Sequence, residues 1–271
     1  MKTGKKLMPL GGEHNLTQGL ERRFLEGPTT STKQFKETGG CAIPNFLEDW
    51  LADQFLGFLE VECPSDWWTY CTAETVGGRL ETEKLLHREM FQITAENKTD
   101  RDAMHQDALT SFKQTKFGYS FSKQQGNYPD KWKFHADTCS CYICTAHSEG
   151  IFRKGGQFEA ACSNIVGKEV ELKTIQWTRY RGGDFFAPRN DADNGTYAFS
   201  LLLSKDWSPL WGGNLVFLDD NGQVSDTAPS QPNTFIIYDL SGGKAYHAVT
   251  PVIPTLQPSH YSITGWLAVK S

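Results

Sequence analysis

Tyr180-Arg181-Gly182-Gly183-Asp184-Phe185-Phe186-Ala187-Pro188-Arg189-Asn190-Asp191 is the stretch on which the fold of this chain turns. It follows an alternating segment, Thr174 to Tyr180, and passes through a double-glycine turn. Beyond it Tyr197, Phe199, Leu201 and Leu203 alternate with other residues, and Asn214–Leu218, Thr234–Tyr238, Ala245–Val249 and Tyr261–Val269 follow as short apolar runs. Short runs of this kind, divided by Gly, Asn, Asp and Pro, are strands whose side chains point to alternate faces. Their number and spacing predict a sandwich, jelly roll or barrel, here a two-sheet jelly roll over residues 173–269.

Upstream the period changes. Phe46, Leu47, Trp50, Leu51, Phe55, Leu56 and Leu59 fall on one helical face, and Asn45 with Glu48 three residues on reads as a variant capping box. Further helices are expected over Glu81–Phe91 and around Arg101–Phe112, all packed outside the β domain because an apolar face must be buried against something. Residues 1–38, rich in Gly, Thr, Lys and Glu, read as a flexible N-terminal arm, and 39–271 as a single domain. The stretch 123–170 carries no legible motif and is expected to build the substrate side.

Composition narrows the function. The chain has 271 residues, 38% hydrophobic and 22% charged, with 8 Trp and 17 Phe, which suits a packed core around an aromatic pocket. Its 27 Lys and Arg against 32 Asp and Glu give a net charge of −5, which argues against a nucleic-acid binder held by phosphate contacts. No apolar run is long enough to cross a membrane. The basic start MKTGKKLMPLGG lacks the apolar core of a secretory signal, so a cytoplasmic setting with the 7 cysteines reduced is expected.

The ordered pattern from Tyr180-Arg181-Gly182-Gly183-Asp184-Phe185, through Leu201–Trp207 and Trp211-Gly212-Gly213-Asn214-Leu215, to His247-Ala248-Val249-Thr250-Pro251-Val252 and His260-Tyr261-Ser262-Ile263-Thr264-Gly265-Trp266 resembles the Fe(II)/2-oxoglutarate-dependent oxygenases, in their prolyl-4-hydroxylase-like branch. The resemblance covers about Trp177 to Val269. It implies a mainly β fold with N-terminal helices (α+β) around a double-stranded β-helix core. It also implies Fe(II) and 2-oxoglutarate as cofactors, and hydroxylation of a peptide or small-molecule substrate. In that family a His-x-Asp pair after the Gly-Asp-Phe turn and a later histidine hold the iron. An Arg one strand further on clamps the cosubstrate carboxylate through parallel hydrogen bonds.

By this resemblance Asp191 is the carboxylate ligand, His247 the distal histidine, Tyr180 a cosubstrate-pocket tyrosine and Trp266 an aromatic near the metal. Their bland alternatives are a turn residue, a structural histidine and core filling, and Gly212-Gly213 reads best as a hairpin or bulge pair. Two positions depart from the family. Arg189 stands where the first histidine is expected, and His260, two residues before Ser262, stands where the Arg is expected. A guanidinium has no lone pair for iron, and a histidine is a poorer, pH-dependent clamp. In one version of a reorganised site Asp191, His247 and His260 hold the metal, Tyr180, His260 and Ser262 hold the cosubstrate, and Arg189 acts with Tyr180 and Trp266 on an anionic ligand. In the other, Arg189 pairs with Asp191 and fills the iron position.

A second cluster competes. His135-Ala136-Asp137 is itself a His-x-Asp, which could bind iron but lacks a Gly-Asp-Phe turn before it. With Cys139, Cys141, Cys144 and His147 it could bind zinc if Cys162 or His105 helped to close the site; otherwise these are ordinary loop thiols. The sequence therefore leaves two functions in play: an iron oxygenase with an altered site, or a catalytically inactive relative that serves as a binding or scaffold module.

Overall fold

In a computed structural model the chain is described over residues 30–63, 150–241, 246–255 and 258–270, with shorter pieces at 19–20, 24–26, 68–72, 91–94, 119–127 and within 103–110 and 145–147. The elements run α1 (Thr30–Thr38), β1 (Gly40–Pro44), α2 (Asp49–Gly57), β2 (Thr69–Thr72), β3 (Phe91–Thr94), β4 (Tyr119–Asn127) and α3 (Gln157–Val166). Eight strands follow: β5 (Val170–Tyr180), β6 (Phe185–Asn190), β7 (Tyr197–Leu202), β8 (Leu215–Leu218), β9 (Val224–Ala228), β10 (Thr234–Asp239), β11 (Tyr246–Val249) and β12 (His260–Val269).

Every described strand pair is antiparallel, in the order β1-β10-β7-β12-β5-β4-β6-β11-β8-β9. β4 bridges β5 and β6, so one continuous ladder curls into two layers. The larger layer holds β1, β10, β7, β12 and β5, and the smaller holds β6, β11, β8 and β9. This is the jelly roll expected from the late strands.

Alternation along the strands sorts the side chains between two cores. Ile175, Trp177, Phe199, Leu201, Phe235, Ile237 and Ile263 face the helices, where they join Phe46, Phe55 and Phe158. Phe46 stacks on Phe235 with ring centroids 4.1 Å apart, and Phe55 meets Trp177 edge-on at 5.0 Å. Burying each of these rings stabilises the fold by about 1.5–3 kcal/mol. Ala198, Leu202, Ile236, Tyr238 and Trp266 face the other way, toward Leu215 and Phe217 of the smaller layer. The larger layer is thus covered on both faces, which is why β10 is buried along nearly its whole length.

Several expectations need correction. α2 begins at Asp49, after an extended Glu48, and Asn45 takes a left-handed backbone, so the Asn45–Glu48 capping box does not form. Both backbone groups of Leu47 are taken by the Asn233 side chain, which holds the chain extended until Glu48. The end of the expected arm is folded: Thr30–Thr38 is helical with Phe35 buried, and Leu20 and Phe24 lie in the main core. Residues 157–166 form α3, whose Phe158, Ala161, Cys162 and Ile165 back the larger layer on its helix-bearing face, so this part of 123–170 is scaffold and not substrate side. The described residues within 103–110 are helical, and Ala108 packs on Phe185 and Ala187 of β6. The helix expected over Glu81–Phe91 lies outside the described residues except for Phe91, which opens β3.

Candidate functional site

The turn Arg181–Asp184 aims β6. The buried Asp184 carboxylate accepts from the Arg181 backbone N–H at 2.8 Å, and its other oxygen lies 3.6 Å from His105 Nδ1. β6 then carries Arg189 to a position opposite His247 of β11, its register partner, and the chain turns at Asp191. Here three side chains converge. Arg189 Nη2 lies 2.7 Å from Asp191 Oδ2, and His247 Nε2 lies 3.4 Å from the same oxygen. Asn194 donates to Oδ1 at 3.2 Å, so both carboxylate oxygens have partners. Burial of the Asp191 carboxyl opposes its ionisation, but the Arg189 charge and the His247 contact outweigh it, and its pKa lies below the ordinary carboxylate value. The Arg189 guanidinium is held over the Phe186 ring, 4.0 Å from its centroid, and 5.9 Å from that of Trp266. Tyr238 closes on His247 with ring centroids 5.3 Å apart.

A second group lies on β5 and β12, where His260 is the register partner of Tyr180. His260 is 2% exposed and flanked by the rings of Trp207 at 4.9 Å and Tyr180 at 6.3 Å. Its Nδ1 has no hydrogen-bond partner, and burial pushes its pKa down to about 4, so it is neutral near pH 7. The hydroxyls of Ser262 and Thr178 are joined at 2.6 Å across the strands.

One cavity of about 60 Å³ between the layers is lined by the residues of the oxygenase-like pattern, Tyr180, Arg189, Asp191, His247, His260, Ser262 and Trp266. Sequence reasoning missed Thr178, Tyr238 and Asn194. Thr178 carried a usable signal, since it precedes Tyr180 by two on one strand and must share its face.

Asp191 and His247 are brought together, but His260 does not join them. Among the described residues no three His, Cys, Asp or Glu side chains form a group able to hold a metal ion. The expected set Asp191, His247 and His260 is therefore corrected: β11 and β12 belong to different layers, and His260 packs among Trp207 and Tyr180 instead. Of the competing cluster, His135, Asp137, Cys139, Cys141 and Cys144 lie outside the described residues. His147 is a core histidine that accepts from Trp177 Nε1 at 2.9 Å, with its pKa pushed by burial to about 3. Cys162 is a buried thiol whose pKa burial raises well above the ordinary value, and His105 is engaged with Asp184.

The roll of two antiparallel layers with its cavity between them defines a double-stranded β-helix protein. Residues 175–268 match the model of the 2OG-Fe(II) oxygenase superfamily. The fold is similar to an oxidoreductase of the 2OG-Fe(II) oxygenase family from Burkholderia pseudomallei, at 12% identity over 94% of this chain and 92% of that one, with a TM-score of 0.51. Also similar are a Pseudomonas putida prolyl-4-hydroxylase (14% identity, 91% and 97% covered, TM-score 0.47) and a Trichoplax adhaerens prolyl hydroxylase in complex with a hypoxia inducible factor peptide fragment (14%, 88% and 86%, TM-score 0.49). No curated protein matches the chain.

The superfamily implies Fe(II) and 2-oxoglutarate, and the described residues do not fit them. Arg189 brings a fixed positive charge to the one carboxylate that would bind the metal and offers no lone pair. Among the described residues no lysine or arginine lines the cavity at its His260 end, so none of them offers the far carboxylate of the cosubstrate a cationic partner there.

Proposed function

We propose that this chain is an oxygenase-fold binding module for a peptide or small molecule, with the metal position filled by its own ion pair. The observation that carries this reading is the 2.7 Å contact of Arg189 with Asp191 inside the cavity. A cation already neutralises the carboxylate, so a second cation gains little there and meets repulsion from the guanidinium. Aromatic walls from Tyr180, Phe186, Tyr238 and Trp266 with a few polar groups between them support ligand binding. A peptide is one candidate ligand, by analogy with the peptide complex of the Trichoplax protein. No helix among the described residues is long and apolar enough to cross a membrane. The buried thiols Cys41 and Cys162 are free, which supports a cytoplasmic setting.

The retained Asp191–His247 contact favours a second reading, an iron oxygenase completed by a ligand from elsewhere. One titration separates the two. Mn(II), a redox-silent stand-in for Fe(II), is added to the parent chain and to Arg189→His, and 2-oxoglutarate decarboxylation is then measured with Fe(II). The binding-module reading expects no stoichiometric uptake by the parent and a gain in the variant. Stoichiometric uptake by the parent with 2-oxoglutarate turnover overturns it.

A further inference from the structure

The His260 end of the cavity is built differently from the Arg189 end. Along β5 and β12 its floor is Gln176, Thr178, His260, Ser262 and Thr264, a row of neutral polar side chains. Gln176, Thr178, His260 and Ser262 are all buried. Trp207 and Tyr180 wall His260 on two sides, and Gly213 lies against its ring, where a Cβ would sit 3.3 Å from the nearest ring carbon. His260 Nδ1 is buried without a partner, although a buried polar atom left alone costs about 1–3 kcal/mol. A leucine or phenylalanine would fill the same space without that penalty.

The two ends therefore suit opposite ligand groups. At the Arg189 end the charges are already balanced within the chain. At the His260 end burial keeps the imidazole neutral, and a carboxylate would lose its hydration with no cation among the described lining residues to replace it. A neutral donor–acceptor group, by contrast, completes the open hydrogen bond at Nδ1 and lies beside the Thr178–Ser262 hydroxyl pair. The cavity volume of about 60 Å³ holds a few water-sized groups at ~15 Å³ each, enough for the tip of a small molecule or one side chain.

We propose that the His260 end binds a neutral polar group, a carboxamide or a hydroxyl, where a 2-oxoglutarate oxygenase would clamp a carboxylate. This rests on the reading of the chain as a binding module and names the ligand chemistry of that same cavity.

The test follows the histidine side-chain ¹H–¹⁵N resonances of the full chain in EDTA, titrated separately with succinamide and with succinate. These probes share a carbon skeleton and differ in charge. Succinamide is expected to shift one histidine resonance, identified by its absence in His260→Gln, at a concentration at least about tenfold below that needed for succinate. His260→Arg is expected to invert the order of the two probes. Ser262→Ala, which leaves the imidazole in place, is expected to weaken succinamide alone. Succinate acting at an equal or lower concentration overturns the proposal, and so does a His260 resonance that neither probe moves. EDTA keeps this result separate from the Mn(II) titration: metal uptake by the parent defeats the metal-free reading without touching the probe preference.

Discussion

Arg189 and His247 face each other as register partners across β6 and β11, and both reach the same oxygen, Oδ2 of Asp191. The carboxylate is thus the centre of a three-residue network closed within the chain. Arg189→Met keeps an unbranched apolar stem but removes the guanidinium, with its charge and its place over Phe186. It is expected to destabilise the protein at pH 7 by about 2 kcal/mol, below the cost of breaking a fully buried pair because the Arg189 side chain is partly exposed. The sign with pH is fixed by the lowered pKa of Asp191. Its contribution is present above the unfolded value of 3.8 and lost as pH falls below it through the folded value. Urea midpoints of parent and variant should therefore differ at pH 7 and converge in acid. An undiminished difference in acid would mean that Arg189 acts through packing alone.

His260 sets a different window. Its pKa falls from 6.5 in the unfolded chain to about 4 in the fold. Between those values the unfolded state takes up a proton that the native state refuses, so stability falls as pH drops from 6.5 toward 4 and levels off below. The loss from this one group is roughly 3 kcal/mol. His147 acts in the same direction, with its pKa lowered to about 3. His260→Gln should flatten the stability–pH curve across the upper window and leave the acid limb of Asp191 in place. A variant curve parallel to the parent's from 6.5 to 4 would show that His260 titrates normally.

The strands of the roll were legible because each is short, apolar and bounded by turn residues. β5, β7, β8, β10, β11 and β12 fall within a few residues of the segments read from the sequence. β6 was not read as a strand, although it lies inside the deciding stretch, because Pro188 and Arg189 break its alternation. α3 was overlooked beside the cysteine-rich segment, yet Phe158, Ala161, Cys162 and Ile165 carry helical spacing and Gly167 closes the helix at a φ of 73°. At the site, the choice between a reorganised metal centre and an Arg189–Asp191 pair was not decidable from residue types. It depended on which layer each strand joins, a long-range property that local pattern does not encode.

Asn233 illustrates a contact that no local pattern reveals. Its Nδ2 donates to the Leu47 carbonyl at 2.7 Å and its Oδ1 accepts from the Leu47 N–H at 2.9 Å, across 186 positions of sequence. This clamp fixes the lead-in of α2 to the start of β10. Asn233 also sits at a φ of 48°, which asparagine tolerates better than most residues. Asn233→Ala leaves two buried backbone groups without partners and is expected to cost about 2–4 kcal/mol. Asn233→Asp keeps the acceptor only and should fall between parent and alanine. Hydrogen exchange at the Leu47 amide should accelerate in the alanine variant; an unchanged rate with unchanged stability would remove the clamp from the account.

The Gly212-Gly213 pair separates a backbone requirement from a ligand-side one. Both residues have positive φ, 88° and 74°, where a side chain is strained. At Gly212 an added Cβ would run into the Pro251 carbonyl oxygen, a backbone atom that cannot swing aside. The Gly212 carbonyl also accepts from Trp207 Nε1 at 3.0 Å, so any shift of this turn moves the ring that walls His260. Gly212→Ala is therefore expected to cost about 3 kcal/mol or more, or to prevent folding. At Gly213 the atoms nearest to a Cβ would be those of the His260 ring, from 3.3 Å, a contact that a small rotation of the imidazole relieves. Gly213→Ala should cost about 1–2 kcal/mol from backbone strain and leave the fold intact. It should also shift the His260 side-chain resonance while the other histidines stay in place. Equal losses of stability in the two variants, or a Gly213→Ala spectrum identical to the parent's at His260, would show that the turn does not position this histidine.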